Sequence, residues 1–382
     1  MESYDYIFAG AGCAGLSLVY YMLESQQLKD SKILLIDPMS GNIPNKTWCY
    51  WSEKPLAIHP LESKIYKWNN LEFKSGEKTL RKHLGNLHYF HLNSVDFFNS
   101  VLSKIQQYPN VTILKDSVTD LKSSEDKVIL STTHTGKFIG NFVFDSRLDS
   151  TGNFNNNQLK QIFSGWTIES ETDLFDPQSI IMMDFSKTVK DKFNFFYLVP
   201  FSKNKALVEF TVYSVNSISE ENLEIELRNY LSKLTKNQDY KIVFRETGLI
   251  PMSTKNNHKI TSDRIIQIGT NGGWTKASTG YTFHTIQKNC IQLVGNLESG
   301  NLEGLRIFKP SRFTFYDNIL LNIAHKWPEK LQNLFFNLFE TSKAETILRF
   351  LNEDTGFGEE LKMLSKLRFK IFIKSFLKYE SH

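Results

Sequence analysis

Short apolar runs that stop on a glycine or an acid alternate with longer apolar stretches at helical spacing. Tyr6 to Ala9 is one such run and stops at Gly10; apolar residues resume from Leu16 to Leu23 at helical length. A second run, Lys32 to Ile36, stops at Asp37. Strand, helix and strand in that order predict a parallel βαβ unit. A Pro, Gly and Asn loop follows from Pro38 to Asn45. Beyond it Trp48, Tyr50 and Trp51 crowd into a stretch that suits neither a clean strand nor a clean helix. Short strands with polar turns are expected from Trp68 to His91. Asn93 to Asp96 reads as a capped helix start, with Phe97, Val101 and Ile105 on one face. Val111 to Leu114 returns as strand, and the runs at 127–132, 136–139 and 142–145 read as a β-meander.

A different texture begins near Gln161. Phe163 to Glu169, Ile180 to Phe185, Phe195 to Val199 and Ala206 to Tyr213 are mostly hairpin-spaced and predict an antiparallel sheet. Ser219 to Leu234 has a helical pattern. Arg264 to Gly269 reads as a third strand of the first unit; it opens into the glycine-rich stretch Thr270 to Tyr281 and a helix to about Leu297. From Asn301 the pattern is mostly helical. The expected fold is α/β with α+β. A Rossmann-type nucleotide-binding domain takes residues 1–60, 92–160 and 245–300, an antiparallel-sheet substrate domain takes 61–91 and 161–244, and a helical region takes 301–382.

The first turn carries candidate chemistry. Gly10, Gly12 and Gly15 form a Gly-x-Gly-x-x-Gly pattern around Ala11, between strand and helix. The first glycine makes the turn, the second admits a pyrophosphate, the third packs helix on strand. Asp37 ends the next strand at about the 20-residue offset of a ribose-binding acid. A dinucleotide, FAD or NAD, fits this pattern. The glycines between Gly269 and Gly280 precede a helix and form a second candidate cradle.

Composition narrows the classes. The chain has 382 residues and a net charge of +4, too small a balance to argue for nucleic acid but compatible with an anionic membrane surface. Its three cysteines, Cys13, Cys49 and Cys290, are far apart; they give neither a disulfide framework nor metal-ligand spacing and point to a reducing compartment. No secretion signal is read at the N-terminus, and no apolar run approaches the ~20 residues of a membrane span. The 30 phenylalanines fit either a large core or a long apolar ligand site. Near the C-terminus, Lys362, Lys366, Arg368, Lys370, Lys374 and Lys378 are mixed with Leu, Ile and Phe. A basic, apolar helix suits a membrane surface, but the two kinds of position interleave on a helical wheel, which suits a docked terminal helix equally well.

Four stretches carry a resemblance over essentially the whole chain: Asn45 to Trp51, Met183-Asp184-Phe185, Leu207 to Thr211, and Gly272 to Tyr281. Within the flavoprotein hydroxylase type of fold, they resemble the lycopene cyclase family, in its bacterial β-cyclase branch. The resemblance implies an enzyme that needs reduced FAD, with NAD(P)H a possible reductant, yet performs no net oxidation. It would turn the ψ-ends of lycopene, or of another ψ-ended carotenoid, into β-rings. Gly10, Ala11, Gly12, Gly15 and Asp37 would hold the ADP part of FAD, and Gly269, Gly272, Gly273, Thr279, Gly280 and Tyr281 would border the flavin. Glu209 matches the first glutamate of the family's acidic motif and would be the catalytic acid. Trp48, Tyr50, Trp51 and Trp274 are candidates for the wall of the substrate pocket, with core packing an equal reading of each; Lys276 is a further candidate there, and no metal is expected. The location implied is cytoplasmic and peripheral to a membrane.

Three positions depart from related patterns. The plant-type motif has a second glutamate where this chain has Phe210, and a histidine–proline pair where it has Lys276-Ala277. Hydroxylases usually follow the late strand glycine with Asp, where Thr270 stands here. By alternation alone, Glu209 shares a strand face with Leu207, Thr211 and Tyr213, which is equally the pattern of a solvent-facing residue. The competing functions are an FAD- and NAD(P)H-dependent monooxygenase on an apolar or aromatic substrate, and a carotenoid- or lipid-binding flavoprotein without catalysis.

Overall fold

A computed structural model describes residues 1–38, 45–60, 62–124, 126–147, 158–255, 262–307, 311–367 and 369–382. Most of the loop expected from Pro38 to Asn45, and Arg368 of the basic segment, lie outside them.

The opening βαβ unit forms as its pattern predicts. Glu2–Ala9 and Ile33–Asp37 pair in parallel, joined through the Cys13–Glu24 helix. They are the centre of a seven-stranded sheet that adds Val111–Lys115 on one side and Lys137–Asp145 on the other. The two runs expected at 136–139 and 142–145 are one continuous strand. Its first half pairs antiparallel with Val128–Thr132, and its second half pairs in parallel with the late strand Ile265–Gln267. The Cys13–Glu24, Ser94–Ile105 and Phe283–Glu298 helices cover one face, around Phe8, Leu16, Phe97, Phe144 and Cys290.

The second sheet also has seven strands, in the order Tyr240–Pro251, Lys160–Ser170, Lys205–Ser214, Phe193–Pro200, Ser179–Asp184, Asn70–Ser75 and Lys78–His83. Its pairings are antiparallel except that of Ser179–Asp184 with Asn70–Ser75. The expectation that the second sheet ends at residue 244 is corrected: the Tyr240–Pro251 strand stays in it along its whole length. Its alternating exposed and half-buried residues mark an edge strand, which lacks a conspicuous apolar run. One face of this sheet packs under the Glu220–Leu234 helix through Val208, Phe210 and Val212. The other face, with Leu207 and Tyr213, meets the C-terminal helices through Phe335, Leu338 and Phe339.

A small third sheet of Thr47–Ser52, His88–Asn93 and Tyr66–Trp68 stands beside the two larger ones. The aromatic stretch after the first loop is therefore a strand. The C-terminal basic segment, expected as one helix, is two, Phe357–Leu364 and Phe369–Leu377. Among the described residues no helix is long and apolar enough to cross a membrane.

Candidate active site

A cavity of about 430 Å³ is walled by all three parts of the molecule. Cys13, Thr270 and Gly280 come from the two glycine-rich turns; Gln161, Glu209 and Glu246 come from the second sheet; Phe335, Phe339 and Leu351 come from the C-terminal helices. The two turns sit against each other, a Cβ built on Gly269 falling 2.8 Å from Ala14 Cβ. The cavity thus joins the nucleotide-type turns to the predicted acid.

At the turn end the backbone does the work. A Cβ on Gly15 would lie 2.3 Å from the Gly10 carbonyl oxygen, so only glycine allows helix and strand this close. A Cβ on Gly12 would meet nothing within 4 Å, so the loop is open above that residue. Gly12 caps the Cys13–Glu24 helix without a side-chain hydrogen bond, and no acid occupies the first turn. The helix's positive end is left for an anion. The Ala11 N–H donates to Asp37 Oδ2 at 2.8 Å, tying the acid to the loop. These features fit the pyrophosphate and ribose of a dinucleotide.

At the other end side chains do it. Glu209 is half-buried in the middle of the Lys205–Ser214 strand, on the cavity side of the sheet. The Thr211 hydroxyl, two residues on along the same face, donates to its Oε1 at 2.6 Å. Burial, reinforced by the charge of Glu246, pushes the Glu209 carboxyl up to about 8 against the Thr211 hydrogen bond. Glu209 is therefore largely a neutral acid at pH 7.

Apart from Lys46, Gln161 and Glu246, the wall around it is mostly apolar or hydroxylic. Tyr281, Tyr89 and Tyr197 form a chain of hydroxyls at 2.9 and 2.8 Å, and the Tyr197 hydroxyl donates to Cys49 Sγ at 3.3 Å. Burial pushes the Cys49 thiol up to about 12 and holds the three tyrosines above their ordinary range, so none carries charge at neutral pH.

The expected site residues divide. Glu209, Trp48, Thr279, Gly280 and Tyr281 line the cavity. Tyr50, Trp51, Trp274 and Lys276 do not, and the expectation that they do is corrected. Tyr50 is buried against Phe90 and Phe283, with its hydroxyl 2.8 Å from His59 Nδ1. The Trp51 indole N–H donates to the Leu348 carbonyl at 2.8 Å. Trp274 is buried in the core of the first sheet. Lys276 turns away to pair with Asp317 and Glu353 at 3.0 and 2.8 Å, which fastens the second turn to the C-terminal helices.

Glu246 is the residue that the sequence reading missed. It is 5% exposed and lines the cavity from the edge strand. The Thr47 N–H donates to its Oε2 at 3.0 Å, while Oε1 has no hydrogen-bond partner among the described residues. Nothing local distinguishes it from the other polar residues of its strand; only the strand pairing reveals it.

A mostly parallel sheet with glycine turns, a mostly antiparallel sheet with an acid and a cavity between them define the fold of the FAD-dependent flavoproteins. The chain is similar along its length to the crystal structure of a geranylgeranyl bacteriochlorophyll reductase-like protein from Thermoplasma acidophilum (13% identity, 98% of each chain, TM-score 0.65). It is also similar to that of a flavoprotein/dehydrogenase from Cytophaga hutchinsonii (12% identity, 99% of this chain and 98% of the other, TM-score 0.62). A structure of a point mutant of the halogenase PltM in complex with FAD shares the fold over 91% of this chain and 79% of the other, at 11% identity and a TM-score of 0.53. No curated protein sequence matches the chain. Within this class, the family model described as lycopene cyclase protein matches residues 5–378, and the chain belongs to the lycopene cyclase family.

Proposed function

We propose that this protein is a lycopene β-cyclase that holds FAD and converts ψ-ends of lycopene, or of a related carotenoid, into β-rings without net redox change. The observation that carries the reading is the placement of Glu209, on the cavity side of the second sheet in a mostly apolar cavity that also reaches Cys13 and the Thr270 to Tyr281 turn. Gly10, Ala11, Gly12, Gly15 and Asp37 would hold the ADP part, and Gly269, Gly272, Gly273, Thr279, Gly280 and Tyr281 would lie along the flavin side. Reduced FAD, when bound, supplies negative charge beside a cationic reaction centre, and NAD(P)H is the natural class of reductant for it.

Protonating an alkene needs an un-ionised acid next to an apolar substrate, and burial provides one. Glu209 delivers its proton to C2 of the terminal alkene. The C1 cation that results is closed on by the C5=C6 double bond. Until then it must be kept from water, and the wall of Trp48, Phe335, Phe339 and Tyr281 is apolar and aromatic. Aromatic faces attract a desolvated cation by ~2 kcal/mol or more. The substrate is a bilayer solute, so the enzyme works at a membrane surface from the cytoplasmic side. Phe357, Leu361, Ile373, Phe376 and Leu377 are exposed at the C-terminal helices, beside Lys362 and Lys374, and suit that contact.

The test is incubation of the flavin-loaded protein with lycopene under anaerobic dithionite, with products resolved by chromatography and mass. Bicyclic or monocyclic product of unchanged mass supports the reading. Unchanged lycopene, or a product heavier by one oxygen, overturns it.

A further inference from the structure

Gly165 faces both acids of the cavity. On the Lys160–Ser170 strand it lies opposite Glu209 on one neighbour and opposite Glu246 on the other. A Cβ at Gly165 would lie 3.4 Å from Glu246 Cγ and 3.5 Å from Glu209 Cβ. No side chain of the intervening strand therefore stands between the two carboxylates at this level. Strands once removed are about 10 Å apart, and both glutamates reach from opposite sides into the same space.

We propose that Glu246 is the proton acceptor of the reaction, facing Glu209 across Gly165. This rests on the cyclase reading and completes it. Protonation of C2 by Glu209 consumes the C1=C2 pair and leaves the charge on C1. The C5=C6 pair then forms the C1–C6 bond and moves the charge to C5. Glu246 takes the proton from C6, and the freed C–H pair becomes the new C5=C6 bond. One proton enters and one leaves, with no electrons gained or lost. Transfer from Glu246 back to Glu209, directly or through one water, restores the starting state.

The environments of the two carboxylates differ in the sense this requires. Burial raises both, but the Thr47 N–H bond and the Lys46 charge oppose it at Glu246, whereas Glu209 has only the Thr211 hydroxyl and is pushed further up by the Glu246 charge. Glu246 therefore gives up its proton first, and paired acids split in this way take opposite roles. Its Oε1, buried without a partner among the described residues, is the uncommitted basic atom. The other titratable groups around the pair are Lys46, Cys49, Tyr89, Tyr197, Tyr213 and Tyr281. Burial holds the thiol and the phenols above their ordinary range, so the carboxylates are the groups that exchange protons at neutral pH.

The test compares wild type, Glu246→Gln and Glu246→Asp as flavin-loaded proteins. The glutamine keeps an oxygen for the Thr47 N–H but takes no proton. Expected are a loss of about 10²- to 10⁴-fold in β-ring formation, unchanged flavin content, and partial recovery in the aspartate variant. Residual product should shift to ring isomers that lose a proton from a carbon other than C6. β-Ring formation within threefold of wild type overturns the proposal, as does a loss with unchanged ring type or with lost flavin. An infrared titration of Glu209, its band identified by absence in Glu209→Gln, separates this inference from the cyclase reading. If wild type leaves lycopene unchanged, the cyclase reading fails and the titration alone judges the pair: a midpoint that falls in Glu246→Gln supports it, and an unmoved midpoint overturns it.

Discussion

The two ends of the cavity are made of different materials. At the first glycine turn the close contact is main chain, Gly15 against the Gly10 carbonyl, possible because Gly15 has no side chain. At the acid end it is side chains, two carboxylates brought to one space because Gly165 has none. Glycine serves both ends by its absence of bulk, but the partners differ. Gly15 clears a path for a carbonyl five residues away in sequence, whereas Gly165 clears one for residues on two other strands. The first arrangement is local, built within one βαβ unit. The second depends on the register of three strands.

The largest change should follow from damage to the main-chain end. Gly15→Val would put a branched side chain where even a Cβ sits 2.3 Å from the Gly10 carbonyl oxygen. Overpacking of this kind costs about 1–3 kcal/mol, and here the displaced atoms are the backbone of the loop proposed to hold the nucleotide. The purified variant should lack flavin absorbance and unfold at lower temperature, with all turnover lost. Yellow protein with normal flavin content would show that the turn is not the nucleotide cradle.

Glu209→Gln should break the other end while leaving the first intact. The amide still accepts from the Thr211 hydroxyl but has no acidic proton. Ring formation should fall by about 10²- to 10⁴-fold, with flavin content close to wild type. Loss of flavin together with activity would mean that the two ends are not separable in the way their construction suggests.

This division also explains what could be read from the sequence. The glycine turn, Asp37 and the parallel strands were legible because each depends on neighbours within one βαβ unit. The side of the sheet that Glu209 faces was legible from alternation, but its burial was not, because the helices that cover it lie more than a hundred residues away in sequence. Of the three large aromatics in that stretch, Trp48 alone lines the cavity. Tyr50 shares its strand face but lies one pleat further on, where His59 engages its hydroxyl, and Trp51 lies on the opposite face, held by the Leu348 carbonyl. Glu246 was illegible, since its strand has no apolar run to announce it and its proximity to Glu209 exists only through pairing with Lys160–Ser170.

A milder probe acts on that pairing. A Cβ at Gly165 would meet Leu207, Glu246 and Glu209 at 3.3, 3.4 and 3.5 Å. These are side-chain atoms that can give by a few tenths of an ångström, so Gly165→Ala should fold and retain flavin. It should nonetheless move the carboxylates relative to the reacting carbons. A loss of about tenfold in ring formation is expected, since sub-ångström to ångström misplacement of a catalytic group costs one to two powers of ten. Wild-type turnover would show that the gap between the acids is a packing detail.

The last effect is on stability, and its sign follows from the proton count. The Glu209 carboxyl ionises from 4.5 in its ordinary state and at about 8 in the folded protein. Between those values the folded chain holds a proton that the unfolded chain has released. Stability contributed by this group must therefore fall as pH rises through that window, and level off above it. Other groups titrate too, so the comparison that isolates it is the difference between wild type and Glu209→Gln. The glutamine variant should gain on wild type from pH 5 to pH 8 in urea midpoints, and the gap should stop growing once Glu209 is ionised in both states. Ring formation in wild type should decline over the upper part of the same window, as the acid loses its proton. A difference in midpoint that stays flat from pH 5 to pH 8 would mean that Glu209 sits in water, and the acid end would then be no more specialised than an exposed strand face.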